Sequence, residues 1–228
     1  MLHAIAHAPK DNHQEPHLLA EHLQKVGELA AQFAPPSLAS WARQAGRWHD
    51  LGKYAQAFQN YIRSASGYQA HLVDSLPGRV NHSSAGALYA VQQLGILGRL
   101  LAYVIAGHHA GLPDGSAGEG AGNAALSSRL EHDTDWLQQT LRAKIPPDIL
   151  AADTLTLDVA AMGHSAGLHL WLRMLFSCVV DADFLDSERF FEPARTQARL
   201  PPPALAQLRK RLDDSLTEKL AAATPSLV

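Results

Sequence analysis

Two imidazoles stand side by side in residues 106–115, AGHHAGLPDG, where an apolar run gives way to glycine and proline. They are not the only polar groups on faces where leucine or alanine would be expected. His22 falls on the apolar stripe of Leu19, Val26, Leu29 and Phe33. His49 continues the stripe Leu38–Trp41–Ala45–Trp48, with Asp50 about 100° further round the helix. His82 opens a helix after a long loop, and His108 extends Leu101–Val104–Ile105 with His109 beside it. Asp183 continues Leu172–Leu175–Val179. Burying one such group without a partner costs several kcal/mol, and an unpaired carboxylate more. A shared cation compensates the whole set, since neutral imidazoles and carboxylates are the usual ligands of divalent metals. The HD pair, at a helix end, can reach one point, and a carboxylate there can bridge two ions about 3.5–4 Å apart. The HH pair either completes the shell of one ion or divides between an ion and the substrate.

Asp181 and Asp183 lie about 200° apart on a helix, so they do not share one site. Asp183 is the expected ligand because it lies on the stripe, and Asp181 is expected to make a supporting or structural hydrogen bond. Lys53, three residues after Asp50, is placed to neutralise phosphate. His3, His7, His13, His17, His71, His132, His164 and His169 read as solvated or structural, with His7 nearest to the first helix.

The elements that must position these groups are helices. Strand signals are nearly absent, with no Asn-Gly turn and few runs of period two. The first helix carries the His22 stripe and ends at APPS, and the second runs into HDLGK, where Gly52 marks a break. YAQAFQNYI is a short third helix and residues 64–81 a loop. HSSAGALYAVQQL begins a helix with Asn81 as its N-cap, and ILGRLLAYVIAGHH is another. AGLPDGSAGEGAGNA is a long loop bordering the site. LSSRLEHDTDWLQQTLRAK is amphipathic and IPPDILAADTLT a connector. Residues 165–187 are apolar almost all round, which predicts a helix buried in the middle of the fold. ALAQLRKRLDDSLTEKLAAA is a last amphipathic helix after LPPP. One all-α domain over residues 1–228 is expected, with about 200–228 forming a C-terminal helix and linker.

Composition excludes several alternatives. With 46% hydrophobic and 18% charged residues, the chain has an ordinary globular make-up. Cys178 is the only cysteine, so neither a disulfide framework nor a cysteine zinc site is available, and a reducing cytoplasm fits. The N-terminus lacks a signal-peptide pattern, and LLAYVIA is too short to span a bilayer. A net charge of −3 gives no global basic footprint for nucleic acid. A local groove of Arg43, Arg47, Lys53, Arg63 or Arg79, or a partner that feeds in the strand, would have to supply it.

The ordered motifs EHL, HDLGKYAQAFQNYI, NHSSAGA, GHHAGLPD and VVDADFLDSE closely resemble the HD nuclease domain of the type I CRISPR-associated nuclease–helicase. Generic HD phosphohydrolases share the H…HD…D skeleton but not the GHH-G-LPD segment. The resemblance implies an all-helical HD-superfamily domain with a metal site in its bundle core, which cuts single-stranded DNA. It implies His49, Asp50, His82, His108, His109 and Asp183 as ligands of one or two transition metals, with His22 at the first ion. Lys53 matches the lysine of the family's HD-x-G-K motif. The resemblance also implies two partners, the helicase domain or subunit and, through it, the RNA-guided surveillance complex. The chain contains no G-x-x-x-x-G-K-[ST], so it is expected to be a stand-alone subunit or a fragment of a longer nuclease–helicase.

The expected reaction is phosphodiester hydrolysis by metal-activated water, with His109 or His22 passing a proton to the leaving group. The mixed ligand set favours Mn²⁺, Ni²⁺, Co²⁺ or Fe²⁺, with Mg²⁺ possible. Two other readings remain open at this point: a nucleotide phosphohydrolase with the same site, and a non-catalytic helical docking module with structural histidines.

Overall fold

The computed structural model describes residues 3–9, 14–64, 82–116, 125–160, 162, 164–200 and 203–222. Expectations for Asn81, Arg79, His13 and His71 fall outside them. The chain divides into two compact units, Met1–Pro193 and Ala194–Val228.

The first unit is built on helices α1 (Leu19–Phe33), α2 (Ala39–Trp48), α3 (Gln56–Ser64), α4 (Ser83–Gly107) and α8 (His164–Phe191). Short helices α5 (Leu126–His132), α6 (Thr134–Leu141) and α7 (Pro147–Leu150) lie between α4 and α8. α1 packs against α2 and α8, and both α2 and α8 meet α4. Their shared core holds Leu19, Leu23, Trp41, Trp48, Leu101, Ile105 and Leu175, all fully buried. The indoles need partners for their N–H groups. Trp48 finds the Ile149 carbonyl at 2.8 Å and Trp41 that of Thr156 at 2.9 Å. The connector 145–156 is therefore part of the core wall, with a turn of helix at Pro147–Leu150.

α4 is the element that does most to assemble the site. A straight helix of 25 residues would be roughly 37 Å long. Gly95 interrupts it with φ 57 and ψ −125, the backbone of a type II′ reversal, which glycine adopts without strain. The two arms, 83–94 and 96–107, thus fold back on each other and bring their far ends together. By length and composition alone α4 is apolar enough to cross a membrane, but the reversal at Gly95 makes it two arms rather than a straight rod.

Several expectations need correction. A small antiparallel sheet pairs β1 (Ile5–His7) with β2 (His17–Leu18), too short to show any periodicity. LSSRLEHDTDWLQQTLRAK is two helices, separated at Asp133. The N-cap position of α4 is His82, without a side-chain cap. α8 is not enclosed on all sides: Leu170 (66%) and Phe184 (55%) are exposed, because that face turns away from α1, α2 and α4.

In the second unit, α10 (Leu205–Ala222) keeps its amphipathic pattern. Leu205, Leu208, Leu212, Leu216 and Leu220 form an exposed stripe. Lys210 pairs with Asp214 at 2.8 Å one turn away.

Candidate metal centre

His22, His49 and His108 are each held by one ring nitrogen and turn the other inward. α2 ends at Trp48, so the carbonyls of its last turn lack intrahelical donors. His49 uses Nδ1 to donate to one of them, Gly46 O, at 2.7 Å. His108 does the same at the end of α4, donating Nδ1–H to Ile105 O at 2.7 Å. His22, on the inner face of α1, places Nδ1 2.8 Å from Asp186 Oδ2. These bonds fix the tautomers and leave Nε2 of His22, His49 and His108 facing the interior. All three Nε2 atoms are buried and make no hydrogen bond.

They converge on Asp50, which is fully buried and divides its oxygens. Oδ2 lies 3.3 Å from His49 Nε2 and 3.6 Å from His22 Nε2. Oδ1 lies 3.3 Å from Nε2 of both His82 and His108. Asp183 closes the first side, with Oδ1 3.4 Å from His22 Nε2 and 3.6 Å from His49 Nε2. His109 closes the second, with Nε2 3.0 Å from Nε2 of His82. Two donor groups result, His22–His49–Asp50–Asp183 and Asp50–His82–His108–His109, and Asp50 belongs to both.

The backbone has to come close for this to happen. Gly52 sits in the 3-10 turn Leu51–Tyr54, where a Cβ would collide with the His82 carbonyl oxygen. Glycine there lets the HDLGK turn lie flat against the start of α4, which sets the distance from Asp50 to His82.

The electrostatics have one sign throughout. Burial alone would depress His22, yet its contacts with Asp183, Asp186 and Asp50 raise it to about 10. Burial is likewise outweighed at His49, which Asp50 and Asp183 raise to about 9. Burial opposes ionisation of Asp50, but Lys53 and His49 hold it well below the usual carboxylate range. His49 and His22 do the same for Asp183. Two buried carboxylates therefore draw positive charge into the centre, and at neutral pH protons on imidazole supply it. A buried donor or acceptor without its partner costs about 1–3 kcal/mol. The inward Nε2 atoms and Asp50 Oδ1 are such groups, and divalent ions satisfy them together. The residues present fit that role.

The seven ligands expected from the sequence thus lie in one cluster. Other expectations change. Asp181 is exposed on the outer face of α8, and the supporting carboxylate is Asp186, one turn after Asp183 and 4% exposed. Lys53 is buried, with Nζ 2.6 Å from Asp50 Oδ2 and 3.4 Å from Ala6 O, so its charge serves Asp50 rather than a surface phosphate. His22 is fully buried, with Nδ1 tied to Asp186. His109 is the exposed member, and burial of its ring atoms together with His108 beside it keeps it neutral. That favours holding an ion over carrying a proton.

Among the described residues, the basic side chains do not form the expected groove. Arg47 pairs with Asp153 at 2.6 Å and Arg63 donates to His3 O at 2.6 Å, leaving Arg43 exposed. His7 and His17 are not bystanders, since both rings pack around His22 at 5.0 and 5.2 Å. The Asp183-to-Asp186 spacing of three in DADFLD was the available signal for Asp186. The pairing of His7 with His17 had no signal, because it depends on the short sheet.

The family model described as Cas3, HD domain matches residues 6–188, a span that includes every residue of the cluster. No match is found among curated proteins. The match covers well over half of the chain and runs through the helices that carry the donors. The chain therefore belongs to the Cas3 HD-domain family, the HD-type metal-dependent nuclease domain of CRISPR systems.

Proposed function

We propose that this domain hydrolyses phosphodiester bonds of single-stranded DNA during type I CRISPR interference, in the cytoplasm. The observation that supports this most directly is the divided Asp50 carboxylate, one oxygen toward each donor group. His22, His49, Asp50 and Asp183 would hold one divalent ion, and Asp50, His82, His108 and His109 a second. Mn²⁺, Ni²⁺, Co²⁺ or Fe²⁺ suits the mixed nitrogen and oxygen donors, with Mg²⁺ a poorer match. Bound ions supply activation of water and neutralisation of the phosphoryl and leaving oxygens.

The chain's own residues do the rest. Lys53 stabilises the ionised form of Asp50. The Nδ1 bonds of His49 and His108 hold their rings in place, so little ordering entropy is lost on loading. His109, exposed and neutral, is the member positioned to meet the strand. Delivery of the strand falls to the helicase domain or subunit and, through it, the RNA-guided surveillance complex, because Arg47, Lys53 and Arg63 are engaged within the domain.

The test is cleavage of circular single-stranded DNA with Mn²⁺, Ni²⁺ or Mg²⁺ and with EDTA, comparing the wild type with Asp50→Ala. Metal-dependent cutting of the circle, lost in the variant, is the expected result. Release of phosphate from mononucleotides with no cutting of DNA would replace this reading with a nucleotide phosphohydrolase.

A further inference from the structure

His22 is anchored differently from the other inward-facing histidines. His49 and His108 donate Nδ1–H to carbonyls at the ends of their own helices. His22 meets a carboxylate from another element, Asp186 on α8, at 2.8 Å. The same Asp186 oxygen lies 3.4 Å from His17 Nε2, and His17 Nδ1 lies 3.0 Å from His7 Nδ1. An ionised carboxylate only accepts, so the 2.8 Å contact is a hydrogen bond donated by His22 Nδ1–H, and His17 Nε2 makes a longer polar contact with the same oxygen. A neutral imidazole has a single N–H, so one of His7 and His17 donates Nδ1–H to the other across the 3.0 Å contact. Phe190 stacks on His17 at 4.9 Å and 14°, and Phe191 lies 5.2 Å from His7, which immobilises the pair. The line reaches from the β1–β2 sheet to Nδ1 of His22 and leaves Nε2 of His22 facing Asp50 and Asp183.

We propose that Asp186, itself held by His17 and His7, is the positioning residue of His22, fixing its ring orientation and tautomer and so setting metal affinity at the His22–His49–Asp50–Asp183 group. The inference rests on the metal-centre part of the proposed function and is independent of DNA cleavage. His7, His17 and His22 are also close enough to form a ligand group of their own. The line through Asp186 is the better account, since His22 Nδ1 is already bonded to Asp186 and His17 Nε2 lies 3.4 Å from the same oxygen.

The test is calorimetric titration of the full chain with Mn²⁺, with the ions counted at saturation, for wild type, Asp186→Asn and His17→Gln. The asparagine amide keeps the volume but both donates and accepts, so it no longer dictates which His22 nitrogen is protonated. Asp186→Asn is expected to weaken one equivalent of Mn²⁺ by about 10–100-fold with the number of ions unchanged. In the Zn²⁺-loaded protein, nitrogen NMR of labelled histidine should show the His22 Nδ1–H signal in wild type and its loss in the variant. A merely structural role would lower the melting temperature of the chelated protein and move neither readout. His17→Gln, at a partly exposed ring, should give a smaller loss in the same direction, and it keeps the test valid if Asp186→Asn does not fold. Unchanged Mn²⁺ affinity in folded variants overturns the inference. So does loss of a whole equivalent of Mn²⁺ in His17→Gln, which would make the cluster a metal site in its own right. Shifted Mn²⁺ binding in a protein that cuts no DNA would support the inference while overturning the nuclease reading.

Discussion

Asp50 is the residue on which the two donor groups depend, because each of its oxygens is within 3.3 Å of imidazole nitrogens from a different group. Asp50→Ala should weaken both equivalents of Mn²⁺ by more than about 100-fold, beyond the loss typical of a supporting residue. Calorimetry reads this directly. A pH dependence follows from His22, raised to about 10, and His49, raised to about 9, by their carboxylate neighbours in spite of burial. Both are protonated at pH 7 in chelated protein, so loading an ion displaces about two protons and binding tightens as pH rises. The heat of binding should then change with the ionisation enthalpy of the buffer. The sign reverses for the chelated fold, whose stability from these protons is complete below about pH 6.5 and is lost as pH rises through 9 to 10. Thermal melts in EDTA across that range check it. The clustered residues were legible in the sequence because His22, His49, His108 and Asp183 lie on apolar stripes, with Asp50 and His109 beside two of them and His82 at a helix start. Asp186 had only its spacing of three from Asp183 as a signal, and a carboxylate near the end of a helix ordinarily reads as solvated.

At the scale of elements, two backbone features set the distances in the centre. Gly95 reverses α4, so that His82 and His108, at opposite ends of a 25-residue segment, reach the same Asp50 oxygen. A side chain at φ 57 is strained, and Gly95→Val should cost about 1–3 kcal/mol in chemical denaturation. It should also weaken the His82–His108–His109 group more than the other. Gly52→Ala should act at closer range, forcing the His82 carbonyl away at a cost of about 1–3 kcal/mol and lowering metal affinity at the same group. The break between the two arms of α4 was readable from the sequence, but its reversal was not, since periodicity gives the length of a helix and not its direction. The β1–β2 sheet was missed for the opposite reason: three residues pair with two, and no alternation develops over so short a run. The apolar surface of α8 misled because Leu170, Met174 and Phe184 look like core residues in sequence yet lie on its exposed face.

At the scale of the molecule, α1, α2, α4 and α8 each contribute donors, together with the HDLGK turn, so the centre ties the helices of the first unit together. Its carboxylates and imidazoles are buried where leucines would otherwise stabilise the core, and the fold bears that cost without a compensating ion when chelated. Mn²⁺ at 100 times its dissociation constant should stabilise the fold by about 2.7 kcal/mol per ion, seen as a rise in melting temperature reversed by EDTA. The proposed centre holds two ions, one on each side of Asp50. The most direct measurement is anomalous diffraction at the manganese edge from crystals grown with Mn²⁺. Two peaks, one beside each Asp50 oxygen, are predicted; a single peak away from Asp50, or none in a protein saturated with Mn²⁺, would contradict the account.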